Sequence, residues 1–157
     1  MVIKGGRILL MCEVCGKPAD KHHIVYKSQG GIEFGLNFRY LCSFHHRGKM
    51  GPHKNRRLDL EYKLNMQRRL EEILINEFYS TPDLEILLNI NKGIVKRIFE
   101  KYKQNDKGFR KTDIIFRLMG LKRYDEKMIL EEILKEKNMK EMVIKEKFQK
   151  VDFRVKS

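Results

Sequence analysis

The chain has 157 residues, of which 41% are apolar and 35% charged, enough for one medium domain or two small ones with a real core under a well-solvated surface. The formal net charge of +13 and a pI near 9.7 favour an anionic partner, with nucleic acid first and an anionic membrane second. No stretch approaches the roughly 18 apolar residues of a membrane span, residues 8–12 (ILLMC) fall short of the about 7–15 of a secretory signal, and no C-terminal lipidation motif is present, so no membrane partner is expected.

In chain order, residues 1–55 are mixed in pattern and rich in Gly, Cys and His, with short β-type runs at 7–11 and 22–27 and Gly30-Gly31 in a loop. From about 56 the texture changes to Leu, Ile, Glu and Lys. Leu60, Leu64, Leu70, Ile73, Leu74 and Phe78 recur at near-helical spacing and predict an amphipathic helix over 56–79. Ser80-Thr81-Pro82-Asp83 then reads as a stop and restart. Thr81 can cap, Pro82 fits the first helical position and Asp83 suits the positive end of the helix dipole. Short helices are expected over 83–88 and 93–103, a loop over 104–111, a helix over 112–119 and a longer one over 125–148. Ile129, Leu130, Ile133, Leu134, Met142 and Val143 form the apolar stripe of the last. The fold class expected is α+β, divided into a module over 1–79 and a helical region over 80–157.

All three cysteines and all five histidines lie between residues 12 and 53: Cys12, Cys15, His22, His23, Cys42, His45, His46 and His53. The positive excess is densest there too, with 11 Lys/Arg against 3 acids in residues 1–58 and 23 against 18 in 59–157. An odd cysteine count with a C-x-x-C pair argues against a disulfide framework and for a reducing, cytoplasmic setting. The pattern C-x2-C, 26 residues, C-x2-H offers two ligand pairs, each on a tight turn. Tetrahedral zinc takes four N/S ligands, and Cys3His is a common closed set. Cys12, Cys15, Cys42 and His45 therefore read as a structural Zn2+ site, which in small modules contributes roughly 10–16 kcal/mol to folding. Three unrelated buried cysteines are the bland alternative. A redox pair fits poorly, because the context is not a βαβ unit. His22, His23, His46 and His53 are left over. They suit an open metal site and a general base working near neutral pH, hence metal-assisted hydrolysis, and the charge points to a phosphodiester.

The residues Cys12-Glu13-Val14-Cys15-Gly16, His22-His23-Ile24, Gly30-Gly31, Asn37 and Leu41-Cys42-Ser43-Phe44-His45-His46 follow one another with 14 positions from His23 to Asn37 and 9 from Asn37 to His46. In order and spacing this stretch resembles the HNH, or ββα-metal, endonuclease family in its zinc-knuckle branch, over about a quarter of the chain. The resemblance implies a small ββα module that lies across the DNA minor groove near the scissile phosphate. It implies His23 as the general base that activates water, and His22 and His46 as ligands of a catalytic divalent cation. It implies Asn37 as the brace of the hairpin loop, and Cys12, Cys15, Cys42 and His45 as the zinc knuckles. Strand alternation, which points His22 and His23 in different directions, fits one ligand and one base. His45 departs from the more usual fourth cysteine, which zinc tolerates. The segment Arg47–His53 runs past the family motif, and His53 is either a third ligand of the cation or a phosphate contact. Asp20 is a weaker candidate for outer support.

Arg47, Lys49, Lys54, Arg56 and Arg57 cluster beside these residues and suit phosphate contacts. Residues 81–103 carry a second pattern: Leu84, Leu88, Ile90, Val95 and Ile98 have helix-turn-helix spacing. Asn89 falls at the turn, and Lys92, Lys96, Arg97, Lys101 and Lys103 lie on the second helix. Glu85 departs from the small residue such motifs favour, and an ordinary helical hairpin is the alternative. The expectation is a metal-dependent DNA endonuclease with a structural Zn2+ and a catalytic Mg2+, Mn2+, Ni2+ or Zn2+. It would act on double-stranded DNA, as a homodimer if both strands are cut, with the helical region positioning DNA or mediating self-association. The alternatives are a zinc-containing DNA-binding protein without catalysis, an RNA-directed nuclease and a structural assembly factor.

Overall fold

The computed structural model describes residues 2–4, 7–102 and 106–155, with side chains over 9–102 and 106–146. It is an α+β chain. Strands β1 (Val2–Lys4) and β2 (Arg7–Leu9) form one antiparallel pair, and β3 (Asp20–His23) and β4 (Phe38–Leu41) a second. A five-residue helix, α1 (Ser43–Arg47), follows β4 directly. Then come α2 (Arg56–Ile73), β5 (Phe78–Tyr79), α3 (Thr81–Leu88), α4 (Lys92–Phe99), β6 (Phe109–Arg110), α5 (Lys111–Leu118) and α6 (Glu126–Val155).

The helices begin where the sequence supplies acceptors for their free N–H groups. Asn55 accepts from Leu58 N–H at the start of α2, and Asn91 from Ile94 N–H at the start of α4. At α3 the cap is Ser80 rather than Thr81, one residue earlier than expected. Its hydroxyl accepts from Asp83 N–H while the Asp83 carboxylate accepts from Ser80 N–H, a reciprocal box that leaves Pro82 in the first turn. The helix expected over 56–79 stops at Ile73. Phe78 and Tyr79 leave it to pair with Arg110 and Phe109, the latter two in what was expected to be a loop, and the Tyr79 hydroxyl accepts from Asn76 N–H across the break. Asn89 ends α3 in the left-handed region (φ 51°), which asparagine tolerates. Lys103 lies outside the described residues.

Residues Met1–Tyr124 form one compact unit and Asp125–Ser157 a second. The first continues past residue 79 because Gln67 on α2 exchanges hydrogen bonds with the Tyr124 backbone, 57 positions away. Its helical core is Leu60, Leu64 and Leu70 from α2, Leu84 and Leu88 from α3, Val95, Ile98 and Phe99 from α4, and Ile114 and Leu118 from α5. The second unit is α6, started by the Asp125 carboxylate accepting from Met128 N–H. The expected apolar stripe of α6 is mainly exposed, at Leu130, Ile133, Leu134, Met142 and Val143. Among the described residues no helix is long and apolar enough to cross a membrane.

Candidate metal centre and active site

The first cluster is assembled by two knuckles. Gly16 adopts φ +67°, a left-handed turn that lets its N–H reach Cys12 C=O (2.8 Å), while Cys12 N–H donates to Lys17 C=O (2.7 Å). Cys15 is thereby carried to the same side as Cys12. The second knuckle is the β4–α1 junction, where extended Cys42 precedes α1 and His45 returns one turn later. Glu13 joins the two, since Glu13 N–H donates to Tyr40 C=O and its carboxylate accepts from Tyr40 N–H and pairs with Arg39 (2.9 Å).

The resulting distances fit a tetrahedral ion. Bond lengths of about 2.3 Å to sulfur and 2.0–2.1 Å to nitrogen place ligands about 3.8 Å apart for S···S and about 3.5 Å for S···N. Cys15 Sγ–Cys42 Sγ is 3.7 Å, Cys12 Sγ–His45 Nδ1 is 3.5 Å and Cys42 Sγ–His45 Nδ1 is 3.4 Å. Burial pushes the Cys12 thiol up, but backbone N–H groups of Cys42, Val14 and Cys15 and the His45 ring outweigh it and hold it at about 6. Thiolate character at one ligand is what zinc needs. This Cys3His group is a candidate structural metal centre.

The second cluster is imidazole only. His22, His46 and His53 bring their ligand nitrogens within 4.8 Å of one another. The ring centroids are 4.8 Å apart for His22–His46, 5.2 Å for His22–His53 and 4.8 Å for His46–His53. Three separate elements supply them: β3, α1 and the turn before α2. His22 is 2% exposed, and its Nε2 and the Nδ1 of His46 are buried without a hydrogen-bond partner. Unpaired buried nitrogens are costly unless something else engages them. Burial above all, and then the charges of His46, His53, His23 and Lys63, pull His22 down to about 3. Burial likewise lowers His46, with His53 and Arg47 adding to it and Asp20 opposing. Both shifts favour the neutral imidazole, the form whose lone pair can bind a cation. This donor set fits a borderline divalent ion.

His23 belongs to neither group. It pairs with Phe38 across the sheet and its ring packs edge-on against that ring at 4.9 Å, on the strand face opposite His22. Glu33 Oε1 lies 3.5 Å from His23 Nε2, near enough for charge but without the alignment of a hydrogen bond. Lys27 pins that carboxylate at 2.9 Å and is the main reason it sits below the usual range. Asn37, fully buried, accepts from Val25 N–H (2.7 Å) and donates to Val25 C=O (3.1 Å) and Ile32 C=O (2.7 Å). It thus closes the long β3–β4 connection on itself. The fit is tight at Gly31, where a Cβ would come within 1.9 Å of Val25 C=O.

Beneath the imidazoles lies a polar layer that the one-dimensional pattern did not reveal. Tyr26 stacks on His53 (5.0 Å, 17°) and its hydroxyl donates a hydrogen bond to Asp59; burial first, and then the Asp59 charge, raise the tyrosine. Asp59 also pairs with Arg56 and with Lys63 (2.7 Å), a lysine with no exposed surface. Burial pulls Lys63 down, and Asp59 resists that. The i, i+4 spacing of Asp59 and Lys63 within α2 is the one visible signal.

The basic residues divide. Arg47, Lys49 and Lys54 are exposed beside the imidazoles. Arg56 and Arg57 spend charge on intrahelical pairs with Asp59 and Glu61. Lys96 and Arg97 are exposed on α4. Comparison with protein-family models, with curated proteins and with solved structures gives no match, so the residues and their geometry carry the functional reading.

Proposed function

We propose that the protein is a metal-dependent DNA endonuclease of the HNH type, with β3, β4 and α1 as its ββα unit. The observation that carries this reading is the juxtaposition of a three-imidazole cluster with a separate histidine one residue away, behind an asparagine-braced loop. His22, His46 and His53 would hold a divalent cation, which when bound supplies charge neutralisation at a phosphate and its leaving oxygen. His23 takes the proton of the attacking water, a role worth roughly 10²–10⁴-fold in rate. Glu33 faces the imidazolium so formed and stabilises it. Asn37 keeps the loop, and with it the base, in place. Cys12, Cys15, Cys42 and His45 hold zinc as a scaffold, and Arg47, Lys49 and Lys54 meet backbone phosphates.

The α3–α4 hairpin supports double-stranded DNA as the partner. Its left-handed Asn89 and the exposed Lys96 and Arg97 suit a helix-turn-helix. Incubation of purified protein with supercoiled plasmid and Mg2+, Mn2+ or Ni2+ tests the reading. Nicking that disappears in His23→Ala is expected. DNA binding without metal-dependent cutting would favour the non-catalytic zinc protein instead.

A further inference from the structure

A cleft of about 510 Å3 lies between the Gly30–Glu33 loop and α4. Its chemistry is two-sided. Ile32, Ile94 and Ile98 give it an apolar wall, and Lys27, Arg97 and Arg117 give it positive charge. Glu33 also lines it and is paired with Lys27, so the net positive charge of the cleft is that of Arg97 and Arg117. Arg117 is held in place from behind, its guanidinium donating to Ile98 C=O (3.2 Å) and Gly30 C=O (3.0 Å). Those two bonds also tie the hairpin loop to α4, so the floor of the cleft is built rather than fortuitous. Gly31 fixes the floor from below, since the close approach of Val25 C=O leaves no room for a side chain. The cleft borders His23, because Glu33 is shared between them.

A volume of this size is that of a small-ligand site, which typically spans about 300–1,000 Å3. It is too small for a duplex and suits a single nucleotide. An apolar wall facing a cationic rim matches a nucleotide's own division into a base and sugar on one side and phosphate on the other. An acidic peptide would satisfy the cations but leave the isoleucine wall without a partner.

We infer that this cleft seats one nucleotide of the DNA strand flanking the cleaved bond, its phosphate against Arg97 and its base or sugar against Ile94 and Ile98. The inference rests on the nuclease reading for the position of the bond, but not for the existence of the seat. It assigns Arg117 to hold the cleft's shape and α4 to line a strand-binding surface beside the reactive histidine.

The chain contains no tryptophan, so Ile94→Trp installs a single fluorophore in the wall. In a His23→Ala background with normal metal content, addition of a duplex or single-stranded oligonucleotide should quench that emission. Arg97→Glu in the same background should weaken oligonucleotide binding about tenfold or more, irrespective of sequence, and lower the salt slope by about one. Arg69→Glu, an exposed reversal on α2, serves as the control and should have a much smaller effect. Binding without quenching, or Arg97→Glu binding like the control, overturns the seat. So does quenching by polyglutamate and not by DNA. Wild-type plasmid cleavage is scored separately. If no cutting occurs but quenching and the Arg97 effect remain, the seat stands and the nuclease reading falls. If cutting occurs without them, the reverse holds.

Discussion

Asn37 grips Val25 from both sides, accepting its N–H at 2.7 Å and donating to its C=O at 3.1 Å. One side chain thus completes a backbone pairing that no neighbouring strand provides. A third bond, to Ile32 C=O, spans the loop that carries Gly30 and Gly31. Asn37→Ala strands these buried groups and should cost about 2–4 kcal/mol in chemical denaturation. Asn37→Asp should also destabilise, because a carboxylate cannot donate to the two carbonyls. Elemental analysis should still find about one zinc per chain in both, because the knuckles do not use Asn37. Under the nuclease reading, plasmid nicking should fall at least tenfold in both.

Neighbouring residues on α1 should give different losses. His45 contacts the cysteine thiols and His46 joins His22 and His53. His45→Ala should deplete tightly held zinc and lower the melting temperature. His46→Ala should keep that zinc and lose a second, weaker cation, followed by titration calorimetry with Mn2+ or Ni2+. Identical metal loss in the two variants would contradict two separate centres.

The Asp59–Lys63 pair should respond asymmetrically. Removing Asp59 leaves Lys63 as an unpaired ammonium with no exposed surface, a change that typically costs about 3–5 kcal/mol. Removing the lysine leaves Asp59 with Arg56 and the Tyr26 hydroxyl. Lys63→Met should therefore cost less, about 1–2 kcal/mol. Denaturant melts of Asp59→Ala and Lys63→Met give the comparison directly.

The cap of α3 should show a pH-dependent contribution. The Ser80 hydroxyl, and then its backbone N–H, hold the Asp83 carboxyl below its usual value of 3.8. A carboxyl depressed on folding stabilises above its unfolded pKa, and that contribution is lost as pH falls through the folded one. Ser80→Ala should lower stability by about 1 kcal/mol at neutral pH. The gap in melting temperature between wild type and variant should narrow below about pH 3.8.

What could be read in advance follows from how tightly the chemistry constrains residue type. Soft-metal ligands must be Cys or His at turn-compatible spacing, so the Cys12, Cys15, Cys42 and His45 set is legible in order and distance along the chain, whereas His22 and His46 come from the family resemblance and His53 stays open between a ligand and a phosphate contact. Helix stripes are legible for similar reasons, and the one cap expected, at Thr81, falls a residue from Ser80, while the Asn55 and Asn91 caps are found only in the structure. Two-residue strands such as β5 and β6 are too short to show a period, so Phe78 was absorbed into the preceding helix and Phe109 into a loop. Tyr26, Glu33 and Arg117 gain their roles from partners brought near only by folding. Arg117 reaches Gly30 across 87 positions, and no local pattern encodes that.

The helix α1 has one further consequence. Its consecutive histidines couple a thiol-based clamp to an imidazole cluster through a single peptide bond. Cys15 is the exposed member of the clamp, and so the thiol that a thiol-selective alkylating agent would meet first. An alkylating agent arriving there would dismantle the knuckle and let His46 drift from His22. Reagents that never touch a histidine would thus act as poisons of the histidine cluster, and bound zinc would shield it.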